Sequence, residues 1–229
     1  MNPQGTLDWY TERWGMITMS QHPKILLEGH VHTWNKLLKH IIWQREHPHL
    51  IREEFERETM IGDNVPSLQH GKRLEIESVE QYELTRNVSV IRPGFMRHHE
   101  FPTLVGSSVD FIETDDGTLD GEGQYACEIK CPFLSEHHLR AIRYGMAPEH
   151  VHQTQGHMEV TGLVEGKFVS YDPRHPVEEQ RVYVQNLTRD PEWSKQFRAM
   201  IEEFAHHLEH GTQFEHKMGK AKDGIPSMF

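Results

Sequence analysis

The stretch CEIKCPF, Cys127 to Phe133, sets the problem of this chain. Side chains alternate faces along a strand, so Glu128 and Lys130 point one way and Ile129 the other. A carboxylate and an amine side by side on an apolar strand cost free energy unless they are paired or used. On its own, E-x-K also fits a simple ion pair at a strand end, so the flanking sequence has to decide. Upstream, SSVDFIE, the turn signal DDGTLDGEG and then QYACEIK read as a hairpin. Across that hairpin Asp110 and Glu128 lie on adjacent strands. Val109 and Phe111 flank Asp110, and alternation alone leaves open which face the aspartate takes.

Around this hairpin the sequence alternates helix and strand signals. Val31, Trp34, Leu38 and Ile41 form a helical stripe. A second helix is expected to start near Leu68 and run through GKRLEIESVEQYELT, with Glu75 on the face of Val79 and Tyr82. NVSVIRPGF reads as a strand running into a turn. A helix from about Pro148 to Leu163 puts Gln155 with Val151 and Met158, and KFVSYDPR and RVYVQNL read as strands. In the last helix Asp190 is the expected cap, Pro191 the first residue, and Trp193, Phe197, Met200, Phe204 and Leu208 the core stripe. The expected fold is α/β, a central mixed β-sheet flanked by helices, in one domain over residues 1–229 with a mobile tail from about 213.

Composition narrows the function. A formal net charge of −11 and a pI near 5.9 argue against coating nucleic acid through bulk charge, yet allow an enzyme with a local basic track. Two cysteines give neither a disulfide framework nor a four-ligand zinc pattern. No apolar run reaches membrane-spanning length and MNPQGTLDWY lacks signal-peptide regions, so a cytoplasmic, reducing location is the expectation. The nineteen histidines show no H-E-x-x-H spacing and read mainly as solvated surface residues.

The inward polar residues then form one constellation: Glu75 on a helix, Asp110 and Glu128 on neighbouring strands, Lys130 beside Glu128, and Gln155 on a later helix. Carboxylate oxygens near one lysine suit a hard divalent cation such as magnesium. Asp110 and Glu128 are the candidate direct ligands, with the Ile129 carbonyl beside them. Glu75 would hold a metal-bound water. Lys130 would orient or deprotonate the attacking water, or neutralise phosphate charge. The reaction that uses such a set is phosphodiester hydrolysis.

Several ordered segments resemble the lambda exonuclease family, the phage alkaline exonucleases or YqaJ-like viral recombinases of the PD-(D/E)xK nuclease superfamily. ERWGMITMS, HGKRLEIES, GSSVDFI, CEIKCPF, HQTQGHMEV and SYDPR follow that family's segments in order over roughly residues 9 to 174. The resemblance implies a PD-(D/E)xK restriction-endonuclease-like core. It also implies a processive 5′-to-3′ exonuclease on double-stranded DNA that leaves 3′ single strands for recombination by annealing. Magnesium, expected as two ions, would be the cofactor, with manganese able to substitute. A homotrimeric ring, a single-strand annealing recombinase as partner and a phage or prophage origin in a bacterial cytoplasm belong to the same expectation. By motif match Asp110 and Glu128 are metal ligands, Lys130 is catalytic, and Glu75 and Gln155 support them. Arg13 and Ser20, with Thr18 nearby, resemble the pair that binds the 5′-phosphate. Three positions depart from the family: Val109 for the name-giving proline, Gly156 for the tyrosine after Gln155, and Glu136 for a basic residue. Outside this branch, the alternatives are a non-processive or endonucleolytic nuclease of the superfamily, or a non-catalytic DNA-binding remnant.

Overall fold

Local signals start and stop most of the helices. The computed structural model describes residues 2–20, 22–115, 117–119 and 123–215. Five helices dominate its first third: α1 (Leu7–Arg13), α2 (Pro23–Glu28), α3 (Val31–Glu46), α4 (Ile51–Asp63) and α5 (Pro66–Arg86). The expected stripe of α3 buries Trp34, Leu37, Leu38 and Ile41. The last helix, α8 (Pro191–His210), begins as expected: the Asp190 carboxylate accepts from the backbone N–H groups of Glu192 at 2.8 Å and Trp193 at 3.2 Å. It ends at Gly211, whose φ of +64° is a left-handed conformation that glycine adopts without strain. Trp193, Phe197, Met200, Ile201 and Phe204 face α2 and α3, forming the largest core cluster with Ile17, Met19 and Val105.

The strand region differs from the expectation in one respect that matters. SSVDFIE is two strands in two sheets: β4 (Val105–Ser108) and β5 (Phe111–Thr114), with Val109 and Asp110 at the break. NVSVIRPGF divides in the same way into β2 (Ser89–Ile91) and β3 (Phe95–Arg97), because Pro93 cannot donate to a ladder and Gly94 turns at φ +72°. One sheet has order β1-β4-β3, with β1 (Ile17–Thr18) parallel to β4. The other is mixed, β2-β5-β6-β7-β8, where β6 (Tyr125–Lys130) completes the hairpin and β7 (Glu165–Tyr171) and β8 (Val182–Thr188) extend the sheet. Only β6 and β7 are parallel in it, so a crossover must join them. The crossover carries α6 (Ser135–Tyr144) and α7 (Pro148–Thr161).

Helix α6 was not expected from sequence. Its buried residues are His138 and Ala141, so a polar letter occupies its core face. Helix α7 contacts both sheets as well as α2 and α8, and Thr154 to Val160 are all buried. The tail expectation also needs correction at its start. Phe214 is buried against Trp34 and Phe204, and Asn35 hydrogen-bonds both its backbone N–H and its carbonyl at 2.9 Å. Residues 216–229 of the expected tail lie outside the described residues.

Gly156 is explained by packing. A Cβ there would lie 2.6 Å from the Sδ of Met19, which is fully buried. In an exposed helix Gly→Ala gains about 1 kcal/mol. Here overpacking of about 1–3 kcal/mol opposes that gain. Gly156→Ala is therefore expected to lower stability by about 1 kcal/mol in urea unfolding, the reverse sign of an exposed site.

Candidate active site

The hairpin register assembles the first pair. Phe111 lies opposite Cys127 and Ile112 opposite Ala126, so one step further Asp110 comes opposite Glu128. Asp110 Oδ2 accepts the Ile129 N–H at 2.8 Å. Val109, in place of the proline, points the other way and is fully buried with Ile112, Ala126 and Met158. Glu128 has no exposure; Lys130 donates to its Oε1 and His157 Nε2 meets its Oε2 at 2.7 Å. His157 Nδ1 in turn meets Ser107 Oγ at 2.5 Å, and both residues are fully buried. The Lys130 side chain is 37% exposed, so the cluster reaches solvent along the lysine.

Charge is distributed unevenly over this cluster. Burial, and then the Glu128 carboxylate, push Asp110 well above the ordinary aspartate value. Burial works the same way on Glu128, but the Lys130 ammonium and the His157 hydrogen bond outweigh it and hold Glu128 at about 2. Lys130 moves upward against its own burial because Glu128 and Asp110 face it. Two close carboxylates resist joint ionisation until a cation joins them. The donor atoms available are hard oxygens, from Asp110, Glu128 and the Ile129 carbonyl. Among the described residues no group of three or more His, Cys, Asp or Glu side chains is arranged to hold a metal. Such a sparse oxygen set fits magnesium or manganese, which complete their shells with water, and not a thiolate or imidazole zinc site.

The other sequence candidates divide. Glu75 sits at the rim, about one-third exposed and paired with Arg92, and its charge is among those that raise Asp110. Gln155 is not brought to the pair. Its Nε2 donates to the Thr188 carbonyl at 3.0 Å and its Oε1 accepts from the Asp190 N–H at 2.9 Å. It thus ties α7 to the start of α8, while His157, two residues on and on another face of the helix, reaches Glu128. Arg13 and Ser20 do come together, with Thr18, the last residue of β1, two residues before Ser20. Arg13 Nη2 donates to Ser20 Oγ at 3.3 Å and the guanidinium lies 4.1 Å from the Trp9 ring centroid. Arg13 Nε and Thr18 Oγ1 are buried without a hydrogen-bond partner. This corner is tied to the carboxylates through β4, because Thr18 pairs with Gly106 and Trp9 Nε1 donates to Ser108 Oγ at 2.9 Å.

The words KCPF and YDPR prove to be one unit. Arg174 donates to the carbonyls of Phe133 at 3.0 Å and Pro132 at 2.9 Å, and holds Asp172 through its Nε at 2.7 Å. Tyr171 donates to Glu77 at 2.6 Å. The strand end that carries Lys130 is thereby clamped. Burial works to raise Asp172, but hydrogen bonds from Arg174 and Ser135 bring it from 3.8 to about 2. A folded-state value below the ordinary one stabilises above about pH 4, and that contribution fades as pH falls through about 2. At ~1.4 kcal/mol per unit the contribution is about 2 kcal/mol. The melting-temperature gap between wild type and Asp172→Asn is expected to be constant above about pH 5 and to shrink steadily toward pH 2. Glu136, the third departure, is an exposed acidic residue in the first turn of α6, where the helix dipole favours it.

Sequence reasoning missed Ser107, His157 and Arg92. The available signal for His157 was its position on α7, seven residues after His150 and on the same face.

The comparisons agree with this architecture. The structure of LHK-Exo in complex with dAMP superposes with a TM-score of 0.68 at 24% identity, over 90% of this chain and 94% of that one. The alkaline exonuclease LHK-Exo from Laribacter hongkongensis gives 0.66 at 24% identity, over 90% and 95%. These likenesses establish a shared fold. No curated protein matches the sequence. Residues 8–164 match the YqaJ-like viral recombinase domain, well over half of the 229 residues. The chain shares its mixed α/β fold with LHK-Exo, and it belongs to the YqaJ-like viral recombinase family.

Proposed function

We propose that the protein is a magnesium-dependent deoxyribonuclease that digests double-stranded DNA from 5′-phosphorylated ends in the 5′-to-3′ direction. The observation that carries this reading is the fully buried Glu128 carboxylate with the half-buried Asp110 opposite it and Lys130 bonded beside them. Asp110, Glu128 and the Ile129 carbonyl would hold the cation, two ions being the expectation, and manganese can substitute. Bound there, it supplies Lewis acidity at the phosphate and a more reactive water. Lys130, held as an ammonium, would orient the attacking water and offset charge at the phosphate as the water oxygen bonds to phosphorus and the P–O3′ bond breaks, the water's proton passing to solvent and O3′ taking one up from it. Glu75, held by Arg92, sits at the rim where it can order water.

The Arg13 corner supports end recognition. The Arg13 Nε of the guanidinium and the Thr18 Oγ1 are buried and unpartnered, and phosphate oxygens would supply what they lack. Hydrolysis at P–O3′ leaves a phosphate on the new 5′ end, so the same corner serves every cycle. That chemistry is compatible with processive action, a homotrimeric ring around the duplex and delivery of 3′ single strands to an annealing recombinase in a bacterial cytoplasm. Among the described residues no helix is long and apolar enough to cross a membrane.

The test uses linear duplex with each strand labelled, 5′-phosphorylated or 5′-hydroxyl, beside a closed circle, with magnesium or chelator. Loss of the 5′-phosphorylated strand from linear DNA, in magnesium only, is the expected result. Cutting of the circle would move the protein to the endonucleases, and intact DNA under every metal would leave a DNA-binding remnant.

A further inference from the structure

Both oxygens of Glu128 are engaged, Oε1 by Lys130 and Oε2 by His157 Nε2 at 2.7 Å. An ionised carboxylate only accepts, so His157 Nε2 carries a hydrogen whether the ring is neutral or charged. The other ring nitrogen is fixed by Ser107 Oγ at 2.5 Å. The three residues come from three elements: Ser107 from β4, His157 from α7 and Glu128 from β6. An imidazole with no exposure costs desolvation free energy unless both nitrogens find partners, and here one partner is a candidate metal ligand. Ligand side chains whose outer atoms are fixed in this manner hold a metal 10–100-fold more tightly, as a rough range, than the same ligands left loose.

We propose that His157 is a positioning residue: held by Ser107, it takes Oε2 of Glu128 and turns Oε1, which Lys130 also meets, together with Asp110 toward the divalent cation. This role rests on the proposed nuclease activity for its cation, but it can be measured without DNA. Free Mn²⁺ is followed by its paramagnetic resonance during titration of the wild type, His157→Leu, His157→Gln and Ser107→Ala, with a melting temperature for each. His157→Leu is expected to weaken Mn²⁺ binding by about 10–100-fold. His157→Gln, whose amide can still donate to Glu128, recovers most of that loss. In digestion assays the leucine variant raises the half-saturating magnesium concentration and leaves KM for DNA unchanged.

A folded His157→Leu that binds Mn²⁺ as tightly as the wild type overturns the proposal, as does a folded glutamine variant no better than leucine. Should the leucine variant fail to fold, Ser107→Ala decides. Weaker Mn²⁺ binding at an unchanged melting temperature supports the role, and unchanged binding overturns it. A wild type that binds Mn²⁺ and leaves DNA intact would sink the nuclease activity alone, whereas a wild type that binds no Mn²⁺ overturns both.

Discussion

Lys130→Met is expected to slow single-turnover digestion of linear duplex by about 10²–10⁴-fold, the range found for positioned proton-transfer groups. That corresponds to roughly 3–5 kcal/mol of barrier at about 1.4 kcal/mol per decade. Methionine keeps the length of the stem and removes the ammonium. Lys130 is the more exposed side chain of its pair with Glu128, and its ammonium sits on the carboxylate that the scissile phosphate would approach. Duplex binding should change little, so the loss appears in the rate at saturating protein and not in KM. A variant within tenfold of the wild type would remove Lys130 from the chemistry.

The second large effect is on stability, and it lies on the opposite face of the same sheet. Glu113 on β5 lies opposite Tyr125 and Lys167 on β7 opposite Cys127, with Lys167 Nζ 2.7 Å from each Glu113 oxygen. Tyr82 of α5 donates to the same carboxylate, and the lysine sits 3.7 Å from the Tyr125 ring centroid. Both charged side chains are under 10% exposed. Breaking a buried pair from one side leaves an uncompensated charge and costs about 3–5 kcal/mol. Lys167→Met should therefore lower the urea unfolding free energy by about that amount, while Lys167→Met with Glu113→Leu should recover most of it. Full stability in the single variant would show that the pair contributes nothing. Because Glu128 faces α7, digestion per folded molecule should survive both changes.

The contrast between these two faces explains what the sequence could disclose. Helices α3 and α8 were readable because their stripes and the Asp190 cap are local signals. The Asp110–Glu128 match was readable because turn residues fix a hairpin register. Nothing local marks the break at Val109 and Asp110, since the two strands part to join different sheets. Helix α6 was hidden because His138, bonded to Ser170 and the Gln180 carbonyl, replaces an apolar residue on its core face. Gln155 and His157 illustrate the remaining difficulty. Inward was the right direction for Gln155, but α7 is buried on every side from Thr154 to Val160. A helix wrapped by two sheets and two helices has more than one inside. Only the tertiary packing decides that one faces Glu128 and another faces Asp190.

The contact between Arg13 and Trp9 has an optical consequence. A guanidinium 4.1 Å from an indole ring perturbs its excited state, and an anion drawn to that guanidinium changes the perturbation. Of the five tryptophans in the chain, Trp9 is the one stacked on the candidate phosphate-binding cation and bonded to Ser108 beside the break. Its emission should thus register a 5′-phosphate at the corner before any bond is cut. A stopped-flow trace in chelator would separate capture of an end from its hydrolysis, using a fluorophore the sequence already carries.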